Sequence, residues 1–355
     1  MEAVRTVPWL CALLALAVPG LAAAEGLQIG IIDFYGLRKL PAEKARQALT
    51  FKEGDSLPFA TPEPSPALGE SVRNLESLRG VAHAKAVTVC CDDGKAIIYV
   101  GIEEKGAPAF QFREAPQGEE RLPEDIVQAG EEFSRALSAA VEAGNAGEDD
   151  SQGHALARDP AMRAPQEAFI MYAQHDPELL RQVLRNSSRA THRALAAQVI
   201  GYVPDKAGVV GDLIYGMSDP DSGVRNNAMR TLLVFARATP TPARQPIRIA
   251  YAPFIEFLHS PEWSDRNKAS AALMELTRNA DADLLASLRR EALVPLSEMA
   301  RWKSEGHAFP AFVILARIAG YSDDDLRQAW RNGEREKVIR AAGRARPLRK
   351  PAREN

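Results

Sequence analysis

Cysteine is nearly absent. The chain of 355 residues holds three, and Cys11 lies inside an apolar amino-terminal run, so the folded protein is left with Cys90 and Cys91. That excludes a disulfide framework and any CxxC pair at zinc spacing. Adjacent cysteines do not readily reach the geometry a disulfide requires. One is therefore expected to point into a core and its neighbour outward. The histidines, His83, His154, His175, His192, His259 and His307, include no HExxH and no pair four apart on a helix, so metal-ligand spacing is missing. Each is expected at the surface or capping a helix. There is no glycine-rich phosphate loop. Ser218 lacks the glycines of a nucleophile elbow and reads as part of a helix-to-helix turn. No cofactor, metal, small-molecule substrate or catalytic group is expected, and the chain does not read as an enzyme. The net charge of −3 points to no partner class.

The single long apolar run, Val7 to Val18, follows a short charged start and ends at Pro19-Gly20 and Ala22-Ala23-Ala24. That is the layout of a secretory signal, here residues 1–24 with cleavage after Ala24. A permanent anchor needs about 20 uninterrupted apolar residues, and the Pro-Gly break cuts this run short. The mature chain is expected to be periplasmic or extracellular. Export conflicts with an intracellular nucleic-acid partner.

Residues 25–104 read as an α+β domain. "LQIGIIDFYGLRKL" is a β-branched strand closed by Gly36, and "PAEKARQALT" is a short helix opened by Pro41. Ser65-Pro66 begins a second helix with Leu68, Val72, Leu75 and Leu78 on one side. "GVAHAKAVTV" and "KAIIYVGIEE" are joined across Asp93-Gly94, which suits a tight hairpin turn. Alternation puts Ile98, Val100 and Ile102 on one face and Ile97 and Tyr99 on the other. In the order β-α-α-β-β, the pieces "FYGLRKLPAEKARQAL", "KEGDSL", "LRGVAHAKAVTV" and "AIIYVGIEE" resemble a POTRA domain. The resemblance implies work in the bacterial envelope, often by pairing an exposed strand edge with a client chain. It points to Ala84, Lys85, Ala86, Val87 and Thr88 as that edge.

Residues 105–158 form an acidic connection with one helix from Pro123 to about Glu142 and a polar loop, "GNAGEDDSQG", with too little apolar content to fold. From 159 to 330 the chain repeats itself. Arg193, Ala196, Ile200 and Val203 match Arg225, Ala228, Leu232 and Phe235, then Arg266, Ala269, Leu273 and Leu276. A fourth copy, Ala308, Ala311, Leu315 and Ile318, loses the arginine. Each copy follows an apolar helix, so the units are helix pairs that bury a continuous core only when stacked. "LIYGMSDPDSGVRNNAMRTLLVF" resembles a HEAT repeat, whose aspartate six residues before the arginine, here Asp219, ties neighbouring units. Ser187 and Ser260 stand at the matching places, so that ladder is expected to be incomplete. Residues 331–355 are a basic tail.

The fold class expected is thus multi-domain: an α+β, POTRA-like domain followed by an all-α, HEAT-like solenoid. The polar set worth tracking is Arg193, Arg225, Asn226, Arg266 and Asn267, with Trp263. The arginines either cap carbonyls and pair with acids between stacked units, or line a concave face and hold a protein partner. Trp263 is either a staple over its turn or an interface anchor. The function that fits these features is a non-enzymatic envelope scaffold with protein partners. Two alternatives stand beside it. One is a membrane-associated assembly factor whose basic tail meets lipid, and the other is a HEAT-type lyase or metal-dependent enzyme.

Overall fold

Strand β1 (Leu27–Tyr35), helix α1 (Ala42–Gln47), a two-residue strand β2 (Ser56–Leu57), helix α2 (Pro66–Ser77), and strands β3 (Val81–Asp92) and β4 (Lys95–Glu104) follow in the order that the sequence alternation implies, with β2 as an addition. The computed structural model describes residues 27–57, 65–107, 110–238, 247–279 and 281–345. The expected signal segment and the last part of the basic tail lie outside them.

The sheet order is β2-β1-β4-β3, with β1 parallel to β4 and the other pairs antiparallel. Side chains alternate across a strand, so the sheet has two apolar faces. Ile29, Ile32, Ile98, Val100 and Ile102 pack under α1 and α2 with Ala45, Leu68 and Leu75. Tyr35, Val89, Ile97 and Tyr99 belong to the core of the helical part. The α+β unit is therefore docked through its second face. Two glycines make the close packing of β1 against β4 possible. A Cβ on Gly101 would fall 2.5 Å from the Tyr35 hydroxyl, and Gly36, at φ +82°, has its Cβ position 2.2 Å from the Ile102 carbonyl oxygen.

Cys90 and Cys91 are joined to each other by a disulfide across a cis peptide bond. This corrects the expectation of two unbridged thiols. Both lie in the irregularity between Val89 and Asp92, outside the regular ladder with β4.

Helix α3 (Glu124–Glu142) packs on α4 (Pro160–His175). The helix pairs follow: α5 (Pro177–Asn186) with α6 (Ala190–Val199), α7 (Lys206–Met217) with α8 (Ser222–Arg237), and α9 (Ala252–Phe257) with α10 (Trp263–Leu276). In the last unit α11 (Ala282–Glu291) and α12 (Leu293–Met299) precede α13 (Glu305–Ile318). The second helices α6, α8, α10 and α13 pack side by side in sequence order, which makes a helical-repeat solenoid. Their alanines at the repeated position, Ala196, Ala228, Ala269 and Ala311, are fully buried. A methyl group there lets neighbouring helices approach closely.

Two segments read as polar linker and tail are built into the body. Residues 148–149 and 156–157 form a small hairpin, β5 (Glu148–Asp149) and β6 (Leu156–Ala157). Its acids reach α8, Glu148 pairing with Arg230 and Asp150 with Arg237. After α14 (Asp323–Arg331), helix α15 (Arg335–Arg344) buries Val338, Ile339 and Ala342 against α12 and α13. The array thus extends past residue 330, because charge counting hides an apolar stripe at i, i+1 and i+4. Among the described residues no helix is long and apolar enough to cross a membrane.

Candidate functional site

The three repeat arginines are inside the molecule. Arg193 and Arg225 are each 1% exposed and Arg266 is 6% exposed, so they form no surface row; of the two roles open to them, the geometry gives the ties between units and not the concave partner-binding face. Each obeys one rule. It donates to a backbone carbonyl six residues earlier: Arg193 to Ser187, Arg225 to Asp219 and Arg266 to Ser260, at 2.9, 2.9 and 2.6 Å. It then pairs with an acid of the following unit. Arg193 makes a two-point contact with Asp219 at 2.8 Å, Arg225 meets Asp265 at 3.1 Å, and Arg266 meets Glu298 at 3.1 Å.

The ladder expected to be incomplete is therefore closed for all three arginines: Asp219 serves as the pattern implies, and Asp265 and Glu298 supply acids from other positions. Asp265 stands beside Arg266 in "SDRN" and is anchored by the Ser260 hydroxyl at 2.7 Å, so the serine that departs from the repeat pattern holds the acid that replaces it. Burial pushes the Asp265 carboxyl above the usual range, against the pull of Arg225 and Ser260. Burial likewise raises Glu298, with Arg266 and the Gly36 amide pulling it back.

The outer side of this ladder is covered by the chain's own amino-terminal third. The guanidinium of Arg225 lies 3.9 Å from the Phe112 ring centroid and that of Arg266 lies 4.8 Å from Tyr35. Arg113 joins Arg193 on Asp219. The Gly36 amide donates to Glu298 at 2.7 Å, and the Tyr35 hydroxyl to the Pro261 carbonyl at 2.8 Å.

Residues 110–122 run as a strap along the inter-helix turns, from the third unit back to the first. Phe110 packs on Phe257, and the Arg113 amide donates to the Ser218 carbonyl. Gly118 exchanges backbone bonds with Asn186 and Ser188, and the Leu122 amide donates to His192 Nδ1 at 2.9 Å. A stretch rich in Glu, Gly and Pro gives no apolar periodicity, so composition could not show this docking. The aromatics Phe110 and Phe112 are its one sequence signal.

Trp263, the first residue of α10, is 3% exposed and stacks on Tyr99 with centroids 5.0 Å apart and planes at 19°. It anchors an interface inside the molecule. Trp302 and His307 complete the cluster around Tyr99 at 4.9 and 5.6 Å. Burial, with Lys268 adding to it, lowers the His307 pKa to about 4, while burial raises Tyr99 well above the ordinary phenol value. The Tyr99 hydroxyl and His307 Nδ1 share a hydrogen bond at 2.8 Å, its direction set by the imidazole tautomer. His307 is thus neither a surface group nor a cap.

Asn226 is buried and its Nδ2 reaches Asn227 at 3.2 Å, while Asn267 is half-buried on α10. The two do not share a site with the ladder. Asn227, which the repeat pattern did not single out, ties α8 to the Ala194 carbonyl of α6 at 2.9 Å.

Strand β3 is the outer strand of the sheet. The Ala84 amide donates away from β4, to Glu76 Oε1 at 3.2 Å. Directions alternate in an antiparallel ladder, so the amides of Ala86 and Thr88 also face outward, while Lys85 and Val87 face β4. Ala84 and Ala86 lie on the α2 face of the sheet and Val87 on the solenoid face. Lys85 pairs with Glu262 on the solenoid, so it does not project along the open edge.

Among the described residues no three of His, Cys, Asp and Glu are grouped so that they could hold a metal ion. No family model matches the chain, and no curated protein does. Similar solved structures include a designed armadillo repeat protein at 18% identity and TM-score 0.35, covering 53% of this chain and 95% of its own. A computationally designed armadillo repeat protein for modular peptide recognition has 17% identity and TM-score 0.36, over 53% and 94%. A designed armadillo repeat protein in complex with the peptide (KR)4 has 16% identity and TM-score 0.35, over 53% and 95%. At such scores the likeness carries no functional argument. The solenoid is established by the chain's own repeats.

Proposed function

We propose that this chain is a non-enzymatic protein-interaction scaffold of the bacterial envelope, with a POTRA-like module braced against a HEAT-like solenoid. The observation that carries the reading is the open edge of β3. It presents the outward amides of Ala86 and Thr88 on a sheet whose two faces are otherwise covered. Such an edge accepts an added strand through main-chain bonds. Lys85, the one charge that would guard it, is engaged by Glu262. The β-α-α-β-β order supports the module's assignment. Two helices per unit, with an arginine-to-acid tie between units, support the HEAT-like one.

Export is the reading that the run Val7 to Val18 and Ala22-Ala23-Ala24 supports. Amino-terminal sequencing of the protein from envelope fractions should begin near Glu25, and an intact Met1 in a membrane fraction would overturn it. The edge is tested by Ala86→Pro. This removes an outward amide while leaving the β4 ladder paired, whereas proline at Val87 would break the sheet itself. Capture of strand-forming client peptides should be lost with the fold retained. Unchanged capture by the folded variant would leave the edge purely structural.

A further inference from the structure

The outer helices carry a second feature. Arg181 and Arg185 lie one turn apart on α5 and both reach Asp212 of α7, Arg181 through Nε at 2.8 Å and Arg185 through Nε to the other oxygen. Asp212 is 1% exposed at its side chain and the two arginines are 42% and 41% exposed. The carboxylate is thus inside and the guanidinium edges are outside. The contacts with Asp212 use Nε, and both arginine side chains remain part-exposed. Arg181 spends Nη1 on Glu178 at 3.5 Å, while among the described residues Arg185 pairs with Asp212 alone.

The guanidinium carbon of Arg185 lies 4.6 Å from the ring centroid of Tyr215, on α7, and that of Arg113 lies 4.2 Å from it. The second acid nearby, Asp219, is buried and already shared by Arg113 and Arg193. Glu178, itself exposed, is taken up by Arg181, so the outward charge of the cluster comes from Arg185 and the remaining edge of Arg181. A guanidinium held between a ring and a buried acid has little freedom left to lose on binding. Its fork matches a carboxylate at two points.

We propose that Arg181 and Arg185, braced by Asp212 and Tyr215, are a docking site for the carboxylates of an acidic, extended segment of a protein partner. That the occupant is a protein rests on the scaffold reading; the site itself rests on the geometry. Such a segment would lie on the outer helices, apart from the β3 edge.

Binding of an extended peptide of alternating Glu and Ser to the full chain should be measured by calorimetry at low and moderate salt, beside its Gln counterpart. The Glu peptide should bind and weaken as salt rises, and the Gln peptide should not bind. Arg185→Gln should weaken the Glu peptide about tenfold or more, the effect of losing a hydrogen bond between charged groups. Arg163→Gln, at an exposed arginine of α4 paired with Glu167, should change nothing. If Arg185→Gln proves poorly folded, Arg185→Lys decides, because it keeps the charge and the reach to Asp212 and loses the fork; it too should bind more weakly. Equal binding of the Gln peptide, wild-type affinity in the folded Arg185 variants, or displacement by inorganic phosphate at equal concentration would each overturn the proposal. Ala86→Pro should bind the Glu peptide as wild type does, so this site and the strand edge fail or stand separately.

Discussion

Replacing Arg225 by Gln removes the centre of the arginine ladder. Three interactions go at once: the pair with Asp265 at 3.1 Å and the two bonds at 2.9 Å to the carbonyls of Asp219 and Pro220. Asp265 is left fully buried with the Ser260 hydroxyl as its remaining side-chain partner. Breaking a buried pair from one side costs about 3–5 kcal/mol, much of it the penalty of the stranded charge. Replacing both partners by apolar residues avoids that penalty. Arg225→Met with Asp265→Leu should therefore cost less than Arg225→Gln alone, about 2 kcal/mol for the two carbonyls that lose a donor.

Urea unfolding followed by circular dichroism measures both variants. The sign of the pH effect is a second check. Asp265 already has a raised pKa in the fold, and removing Arg225 raises it further. The folded state then binds a proton that the unfolded chain releases, so stability should rise as pH falls toward the unfolded-state carboxylate range. A loss below about 1 kcal/mol for Arg225→Gln, or a double variant as unstable as the single one, would refute this account of the ladder.

Trp263→Ala should cost about 3–5 kcal/mol and split one unfolding transition into two, as the sheet parts from a solenoid that stays helical; a single unshifted transition would count against the docking. His307, with its pKa lowered to about 4, stabilises the interface fully above the imidazole value of the unfolded chain near 6.5 and progressively less as pH falls between the two. The loss should be roughly 3 kcal/mol across that window, and it should vanish in His307→Phe, as acid titration of tryptophan fluorescence would show. Gly118→Val should lift the strap, because a Cβ there would meet the Asn186 carbonyl at 2.6 Å. Protease cleavage between Phe110 and Leu122 should then speed up, and an unchanged digestion pattern would mean that the strap is not held there.

The repeat arginines were legible in the sequence, and of their partners only Asp219 was, through the HEAT-like pattern; Asp265 and Glu298 were not. Helical spacing fixes which residues recur, and it placed Arg193, Arg225 and Arg266 in equivalent positions. The acids come from Asp219 in a turn, Asp265 inside a helix and Glu298 in the following unit, and no single spacing joins them. The strand order was readable because alternation and a tight-turn signal are local. That Ile97 and Tyr99 form a second apolar face was readable as well. What covers it, Trp263, Trp302 and His307, lies more than 150 residues away in the chain, and a single sequence does not report distance. Charge misled twice, in the strap and in α15, because a few apolar side chains among many charges suffice to dock a segment that is already tethered at both ends.

The Tyr35 hydroxyl bonds to Pro261 across 226 residues, and Asp33 accepts the Lys303 amide across 270. A chain that emerges amino terminus first therefore completes its sheet long before the surface meant to receive it exists. For that interval the face carrying Tyr35, Ile97 and Tyr99 is wet and adhesive, at just the stage when nascent chains are prone to aggregate. The strap is made next and must likewise wait for its own units, so final closure is held back until the third and fourth helix pairs have appeared. The time between first and last contact is set by the rate of synthesis, and a binder of exposed aromatic surface acting in that window would govern the yield of folded protein without touching its final stability.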